Sequence, residues 1–481
     1  MEMTTTACAT TPDTTATVTS TPPAVTQALA AFVAAARYDD LPLRAIADAK
    51  LAFLDWLGSA LAGAREEPAQ LARAVVDGLG RADQATVLPA GSASAAGAAL
   101  VNGVASHILE FDDVHKGSTI HGGAPIIPAA LAVAEREGAD GRALLLATAL
   151  GYEAGLRVGE AVNPSHYRYW HPTGTAATFG AAAAAGSLLG LDVARMRDAL
   201  GSAGTQAAGL WEFNADGAMS KHLHPGKAAF NGVLSADLAR VGFTGASRIL
   251  EGERGFCRAM STDPDLDRIT ADLGTTWKIS ENCYKLHSCC GHTHTAIDTA
   301  LDLRTAQGWA EGDAAREVVS VRIELYGPGY GIVREMDPRT PYQAKFSIAY
   351  CVAVGLLEGS VGLAQFNPER FGPDGVADPA FAALLRRTTV EVAPDLTARY
   401  PARWPARVAL TLVDGTTRAG GADFPRGNPE NPVPPAVLEE KFRGLVTPGY
   451  GAALAERAIV AVRELERWGD VRERLTAILA G

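Results

Sequence analysis

The sequence predicts a mainly α protein, with a large all-helical domain interrupted by a smaller α+β domain. Three observations predict it. From about Val25 to Ile279, Ala, Leu, Val and Ile recur at three- and four-residue steps, the spacing of one helix face. Alternation of β-branched residues first appears beyond Trp277, in EVVSVRIEL, the period of a half-buried strand. Helical spacing then returns from Pro434 to the end.

Taken in order, residues 1–24 are mostly Thr, Ala and Pro, with neither a basic segment nor an apolar one. They read as a disordered leader and not as a signal peptide. Helices are then expected over Leu43 to Ala62, Ser94 to Leu109, Gly141 to Val162, Thr175 to Leu189 and Asp192 to Gly204, with Gly and Pro at segment ends. Small residues on many apolar positions let such helices approach closely. Strands are expected over Glu317 to Leu325, Thr388 to Ala393, and Arg407 to Ala422. The last carries an Asp-Gly hairpin signal. Helical pieces His294 to Thr305 and Ala344 to Leu357 fall among the strands, and VLEEKFRGLV and Ala452 to Leu479 close the chain. The division is therefore 25–279 with 430–481 as a discontinuous helical domain, and 280–429 as the insert.

A chain of 481 residues with 47% hydrophobic content can bury a large core. Net charge is −11 and no dense Lys/Arg run occurs, which argues against nucleic acid and anionic membrane surfaces as partners. Six cysteines, two of them adjacent at Cys289 and Cys290, do not form a disulfide framework and point to the reducing cytoplasm. Charge interrupts every apolar run before a membrane span's length. GxGxxG, Walker A, GxSxG and HExxH motifs are all missing, so chemistry must come from side chains alone.

Four polar segments break the apolar pattern. HILEFDDVHKGSTIHGG places Glu110, Asp112, Asp113, His115 and His121 beside a core, where charge is costly without a partner or ligand. Local capping is the competing reading. WHPTGT sets His171 and Thr173 ahead of a helix, whose N-terminus can seat a carboxylate; Thr173 or Thr175 is also expected to cap it. SKHLHPGKAA gathers Lys221, His222, His224 and Lys227. Lys221 is the choice for carboxylate binding or proton transfer, because a partly buried Lys shifts its pKa readily. CYKLHSCCGHTH holds metal-ligand residue types from Cys283 to His294, but their spacing matches no zinc or iron–sulfur pattern. Lys285 is the competing functional group there. A metal-dependent lyase built on that cluster, or a non-catalytic carboxylate-binding protein, remains as an alternative.

In this order and spacing the four segments resemble the MmgE/PrpD family, which includes 2-methylcitrate dehydratase, cis-aconitate decarboxylase and iminodisuccinate epimerase. The NG-x-A-x-H-x-x-(D/E)-x-DD block falls on Asn102, Gly103, Ala105, His107, Glu110, Asp112 and Asp113. The following loop histidine falls on His121, H-P-T-G-T on His171, K-x-L-H-x-G-x-A-A on Lys221 and His224, and the later lysine motif on Lys285. The resemblance implies a helical body with a lid inserted, a homodimer, a small di- or tricarboxylate substrate, and neither metal nor organic cofactor. It implies that Lys221, Lys285 and His224 hold carboxylates, with Thr173 beside them. His121 and His171 would form the acid/base pair, and Glu110, Asp112 or Asp113 would orient an imidazole. A lid tyrosine is also implied, for which Tyr326 and Tyr330 are equal candidates. Val114, His115 and the two glycines after His121 depart from the decarboxylase pattern, and CCGHTH departs from that of the dehydratases and the decarboxylases alike. Dehydration of a 2-methylcitrate-like acid is the first expectation, with decarboxylation and epimerisation as near alternatives.

Overall fold

The computed structural model describes residues 24–372 and 375–480; the expected leader, save Ala24, lies outside them. The protein is mainly α. Several predicted helices begin where the sequence supplies a cap. Ser94 Oγ accepts Gly97 N–H at 3.2 Å, Asp140 accepts Ala143 N–H at 2.8 Å, and Asp192 accepts Arg195 N–H at 2.9 Å. Each satisfies an amide that the first helical turn leaves free.

The helices Val25–Ala35, Leu43–Gly63, Ala95–His107, Gly123–Glu137, Gly141–Val162, Ala177–Leu188, Val193–Gly204 and Ser220–Arg240 pack into one large apolar core. Close approach depends on glycine at two crossings. A Cβ on Gly226 would stand 2.5 Å from the Leu100 carbonyl oxygen, and one on Gly151 would stand 2.4 Å from Ile126. The C-terminal helices Pro435–Tyr450, Ala452–Arg463 and Val471–Ala480 pack on the same core, through Phe442, Leu445, Ile459, Leu475 and Ile478.

A second core lies within 283–412, joined by Val114. Its sheet has four strands in the order Thr417–Ala422, Ala406–Leu412, Val318–Leu325, Thr388–Val392. The last two are parallel and the other pairs antiparallel. Ala406, Val408, Leu410 and Leu412 alternate inward, beneath the helix His294–Gln307. The two cores are tied by a short ladder that periodicity could not show: Val114 pairs with Cys283 and His115 with Asn282. One further difference concerns helix limits. The Ala344 to Leu357 stretch divides into Pro341–Lys345 and Ile348–Glu358, because Ser347 caps the second helix by accepting Tyr350 N–H. SKHLHPGKAA lies wholly inside Ser220–Arg240; Pro225 is only its sixth residue and removes a single backbone bond. No helix among the described residues is long and apolar enough to cross a membrane.

Candidate active site

The helix Ala95–His107 ends in a turn, and Glu110 takes φ +56°, a left-handed conformation that costs a non-glycine residue free energy. That turn swings the Glu110 carboxylate onto Lys221, with which it forms a direct ion pair. Lys285 Nζ lies 3.5 Å from Glu110 Oε2, donates to the Glu110 carbonyl at 3.2 Å, and lies 3.8 Å from Asp112 Oδ1. All four residues are buried. Burial opposes the charge on Glu110, but Lys221 and Lys285 outweigh it and hold the carboxyl well below its usual range. Burial likewise works against the Lys285 ammonium, and Glu110 and Asp112 overcome it, so its pKa is raised.

The two members of the Asp pair do different work. Asp112 Oδ2 meets His107 Nδ1 at 2.7 Å and His121 Nδ1 at 3.4 Å. Burial would raise its pKa; His107, His121 and Lys285 reverse that and keep it charged. Asp113 accepts Gly123 N–H at 2.9 Å, Tyr152 O–H at 2.5 Å and Asn282 N–H at 2.7 Å. Burial, reinforced by nearby Asp55, pushes its carboxyl up to about 7. Asp113 therefore ties the loop to the helix Gly141–Val162 and to the ladder strand at Asn282.

His121 Nδ1 lies 2.8 Å from the Asp113 carbonyl oxygen. A carbonyl can only accept, so Nδ1 carries the hydrogen and Nε2 of the neutral ring is the basic nitrogen. The His121 amide donates to Thr173 Oγ1 at 3.1 Å. His171 Nδ1 faces His224 Nδ1 at 3.0 Å, which requires opposite tautomers in two neutral rings. The rings of His107 and His121 lie 4.8 Å apart, and those of His107 and His171 5.7 Å apart. Burial pulls His121 and His224 down to about 3 and His171 well below the usual imidazole range. His121, His171 and His224 are thus neutral in the free protein, and Lys221 and Lys285 bring positive charge to the group.

Glu110, Asp112, Asp113, His121, His171, Thr173, Lys221, His224 and Lys285 thus belong to one buried group of linked contacts. Neither Tyr326 nor Tyr330 shares a hydrogen bond or ion pair with it. Tyr326 Oη bonds His292 Nδ1 at 2.5 Å and its ring stacks on Tyr400, because the strand before it turns the ring into the second core. Tyr330 packs half-buried against the same core. The capping expectation for the WHPTGT threonines is also corrected: no side chain caps the helix Ala177–Leu188. Thr173 serves His121, and Thr175 Oγ1 contacts His166 Nε2 at 2.7 Å.

Cys283 to His294 does not assemble a ligand set among the described residues. His287 contacts Asp298 at 3.0 Å, His294 contacts the Cys289 carbonyl at 3.3 Å, and Cys289 contacts Thr293 at 3.1 Å. Two other groups bring three donor residues together, His107/Asp112/His121 and His115/Glu160/Glu281. In each a lysine already faces the carboxylates: Lys285 at 3.8 Å from Asp112, and Lys278 at 3.0 Å from both Glu160 and Glu281.

Sequence reasoning missed several neighbours. His222 and His107 were named in the sequence without a role; His222, pulled by burial down to about 3, has a buried Nδ1 without a partner, as has His107 at Nε2. Lys345 Nζ donates to the Leu109 carbonyl at 2.8 Å. Lys441 Nζ donates to Asp55 at 2.5 Å and to the Phe111 carbonyl at 2.6 Å, so the C-terminal helix braces the acid loop. The available signal was that Tyr342, Lys345 and Phe346 share one face of a short helical turn.

Comparison with known proteins supports one assignment. The family model described as MmgE/PrpD N-terminal domain matches residues 27–269, and that described as MmgE/PrpD C-terminal domain matches 287–467. The cis-aconitate decarboxylase-like protein oryM of Aspergillus oryzae is 28% identical over 95% of this chain and 97% of its own. Cis-aconitate decarboxylase of Aspergillus terreus is 27% identical over 89% of each chain. The Homo sapiens cis-aconitate decarboxylase is 29% identical over 80% of this chain and 79% of its own. With both halves of the family matched across nearly the whole described chain, the protein belongs to the MmgE/PrpD family.

Proposed function

We propose that this protein is a cofactor-independent lyase acting on a small di- or tricarboxylate, and that decarboxylation of a cis-aconitate-like acid is its first reading. The observation that carries it is the buried meeting of two lysines, three acids and neutral imidazoles drawn from four distant segments. The decarboxylase reading stands ahead of dehydration because the relatives that align over 80–95% of this chain bear that name.

The chemistry follows from the groups present. Lys221 and Lys285 offset substrate carboxylate charge and stabilise the enolate-like anion that forms when the C–CO2 bond breaks and its electron pair stays on carbon. An imidazole then delivers a proton to that carbon. A carboxylate bound beside His121 or His171 raises the ring's pKa from its depressed free-protein value, so the ring can take up and pass on a proton. Asp112 holds His121 and His107 in place. One CO2 leaves and one proton is consumed per turnover.

The test is incubation with cis-aconitate, 2-methylcitrate and iminodisuccinate, followed by CO2 release and by NMR in D2O. CO2 with deuterium at one product carbon is the expected result. Loss of water alone would establish dehydration, and exchange without net product the epimerase. Lys285→Ala and His171→Ala should each lower turnover by more than about tenfold; a smaller fall with folding intact overturns their roles. We also read the protein as a homodimer, for which light scattering should give about twice the 50.1 kDa chain mass.

A further inference from the structure

The helix Pro341–Lys345 and the following Phe346 form a wall of the charged group that no family motif above assigns. The Phe346 ring lies 4.9 Å from Lys221 Nζ, and the Tyr342 ring packs on Phe346 at 5.0 Å. Gly217 backs Tyr342: a Cβ there would stand 3.0 Å from its ring. The Tyr342 hydroxyl is buried without a hydrogen-bond partner, and burial, followed by the charge of Glu110, raises its pKa. Such a donor is costly to bury unless something pairs with it at some stage of function.

Lys345 stands apart from the other two lysines. Lys221 and Lys285 each face a carboxylate. Lys345 has none within ion-pair distance among the described residues; its Nζ donates to the Leu109 carbonyl, which also takes the Ser288 hydroxyl at 2.7 Å, and lies 5.7 Å from the Phe366 ring centre. Burial, only partly offset by Glu110, pulls its ammonium down to about 8. His222 keeps a free buried Nδ1, and burial, with His107, Lys221 and Lys345 after it, holds its pKa down. Lys221 and Lys285 are largely matched by Glu110 and Asp112, whereas Lys345, like Lys227 on its three backbone carbonyls, faces no carboxylate among the described residues.

We propose that Lys345 and the Tyr342 hydroxyl form a carboxylate-binding subsite, which makes the protein select substrates that carry a further carboxylate beyond those held by Lys221 and Lys285. This rests on the reading of the ligand as a small polycarboxylate, and it names three carboxylates as the class preferred.

The test measures binding, apart from turnover. Tricarballylate, a saturated tricarboxylate, is titrated into the full chain and compared with the dicarboxylate glutarate. Binding is read from tryptophan fluorescence, since Trp211 lies 4.9 Å from the His171 ring. Lys345→Met should weaken tricarballylate by at least about 30-fold and glutarate by less than about threefold, the loss of one charge-assisted contact. Lys345→Arg should restore most of the tricarballylate affinity. Tyr342→Phe should weaken tricarballylate alone by roughly three- to tenfold, and this variant carries the test where Met at 345 impairs folding. The subsite is overturned by a wild type that does not bind tricarballylate, by unchanged affinity in Lys345→Met, or by equal loss of both ligands. Selective loss in a protein that converts no carboxylate sinks the lyase reading alone, and turnover of cis-aconitate unaffected by Lys345→Met sinks the subsite alone.

Discussion

Replacing Glu110 by Gln tests the energetic centre of the charged group. The change keeps size and removes one negative charge set against Lys221 and, at 3.5 Å, Lys285. All three side chains are at most 3% exposed, so water does little screening. At that separation and an effective dielectric near 20, one such pair is worth about 4–5 kcal/mol before desolvation. Deleting one partner of a buried pair costs about 3–5 kcal/mol, because the other charge is left stranded. Glu110→Gln should therefore lower unfolding stability by about 3–4 kcal/mol at pH 7. Lys221→Met should cost less, since Glu110 keeps Lys285, and the double variant should be more stable than the sum of single losses by at least about 1.5 kcal/mol.

The pH dependence has a definite sign. Burial raises the Glu110 carboxyl, but Lys221 and Lys285 take it well below its ordinary 4.5. Its contribution is present in full above the unfolded value and is lost as pH falls through the lower folded one. The gap between wild type and Glu110→Gln should stay level from neutral pH down to about 5 and close in more acid solution. Urea unfolding followed by tryptophan fluorescence measures all of this. A loss below about 1 kcal/mol, or strictly additive variants, would refute the reasoning.

Asp113→Asn should behave oppositely. Asp113 is raised by burial and then by Asp55 from 3.8 to about 7, so its contribution is greatest below 3.8 and is lost as pH rises through 7. Wild-type stability should include a component falling by up to about 1.4 kcal/mol per pH unit across that window; the Asn variant should lack it and be the more stable of the two at pH 8, which urea midpoints between pH 4 and 8 would check. Gly226→Ala should cost about 1–3 kcal/mol and lower turnover, since its Cβ would meet Leu100 O at 2.5 Å where the helices bearing His107 and Lys221 cross. Gly444→Ala, with nothing within 4 Å of the added carbon, should be neutral or gain up to about 1 kcal/mol by helix propensity, and a comparable loss there would remove the argument from close packing.

Much of the architecture was legible in the chain. Helical spacing from Val25, strand alternation in EVVSVRIEL and the return of helix after Pro434 are local patterns, and local patterns survive without knowledge of contacts. The four polar segments stood out for the same reason, since each interrupts a run of small apolar residues. Helix limits were less legible: Ser347 breaks the Ala344 to Leu357 pattern by a capping bond, whereas SKHLHPGKAA continues a helix despite its proline.

Tertiary structure alone decided how charge is distributed. Adjacent and chemically identical, Asp112 and Asp113 differ because one faces His107, His121 and Lys285, while the other faces Tyr152 and Asn282 and feels the charge of Asp55. His121 is neutral because burial outweighs Asp112 and Glu110, and His171 because burial is reinforced by its neighbours. Tyr326 is drawn to His292 and Tyr342 to the charged wall, a choice that spacing could not make. Glu110 meets Lys221 and Lys285 across 111 and 175 residues of chain. Coulomb and desolvation energies depend on separations in space of a few ångströms, and such separations between distant segments exist only once the chain has folded.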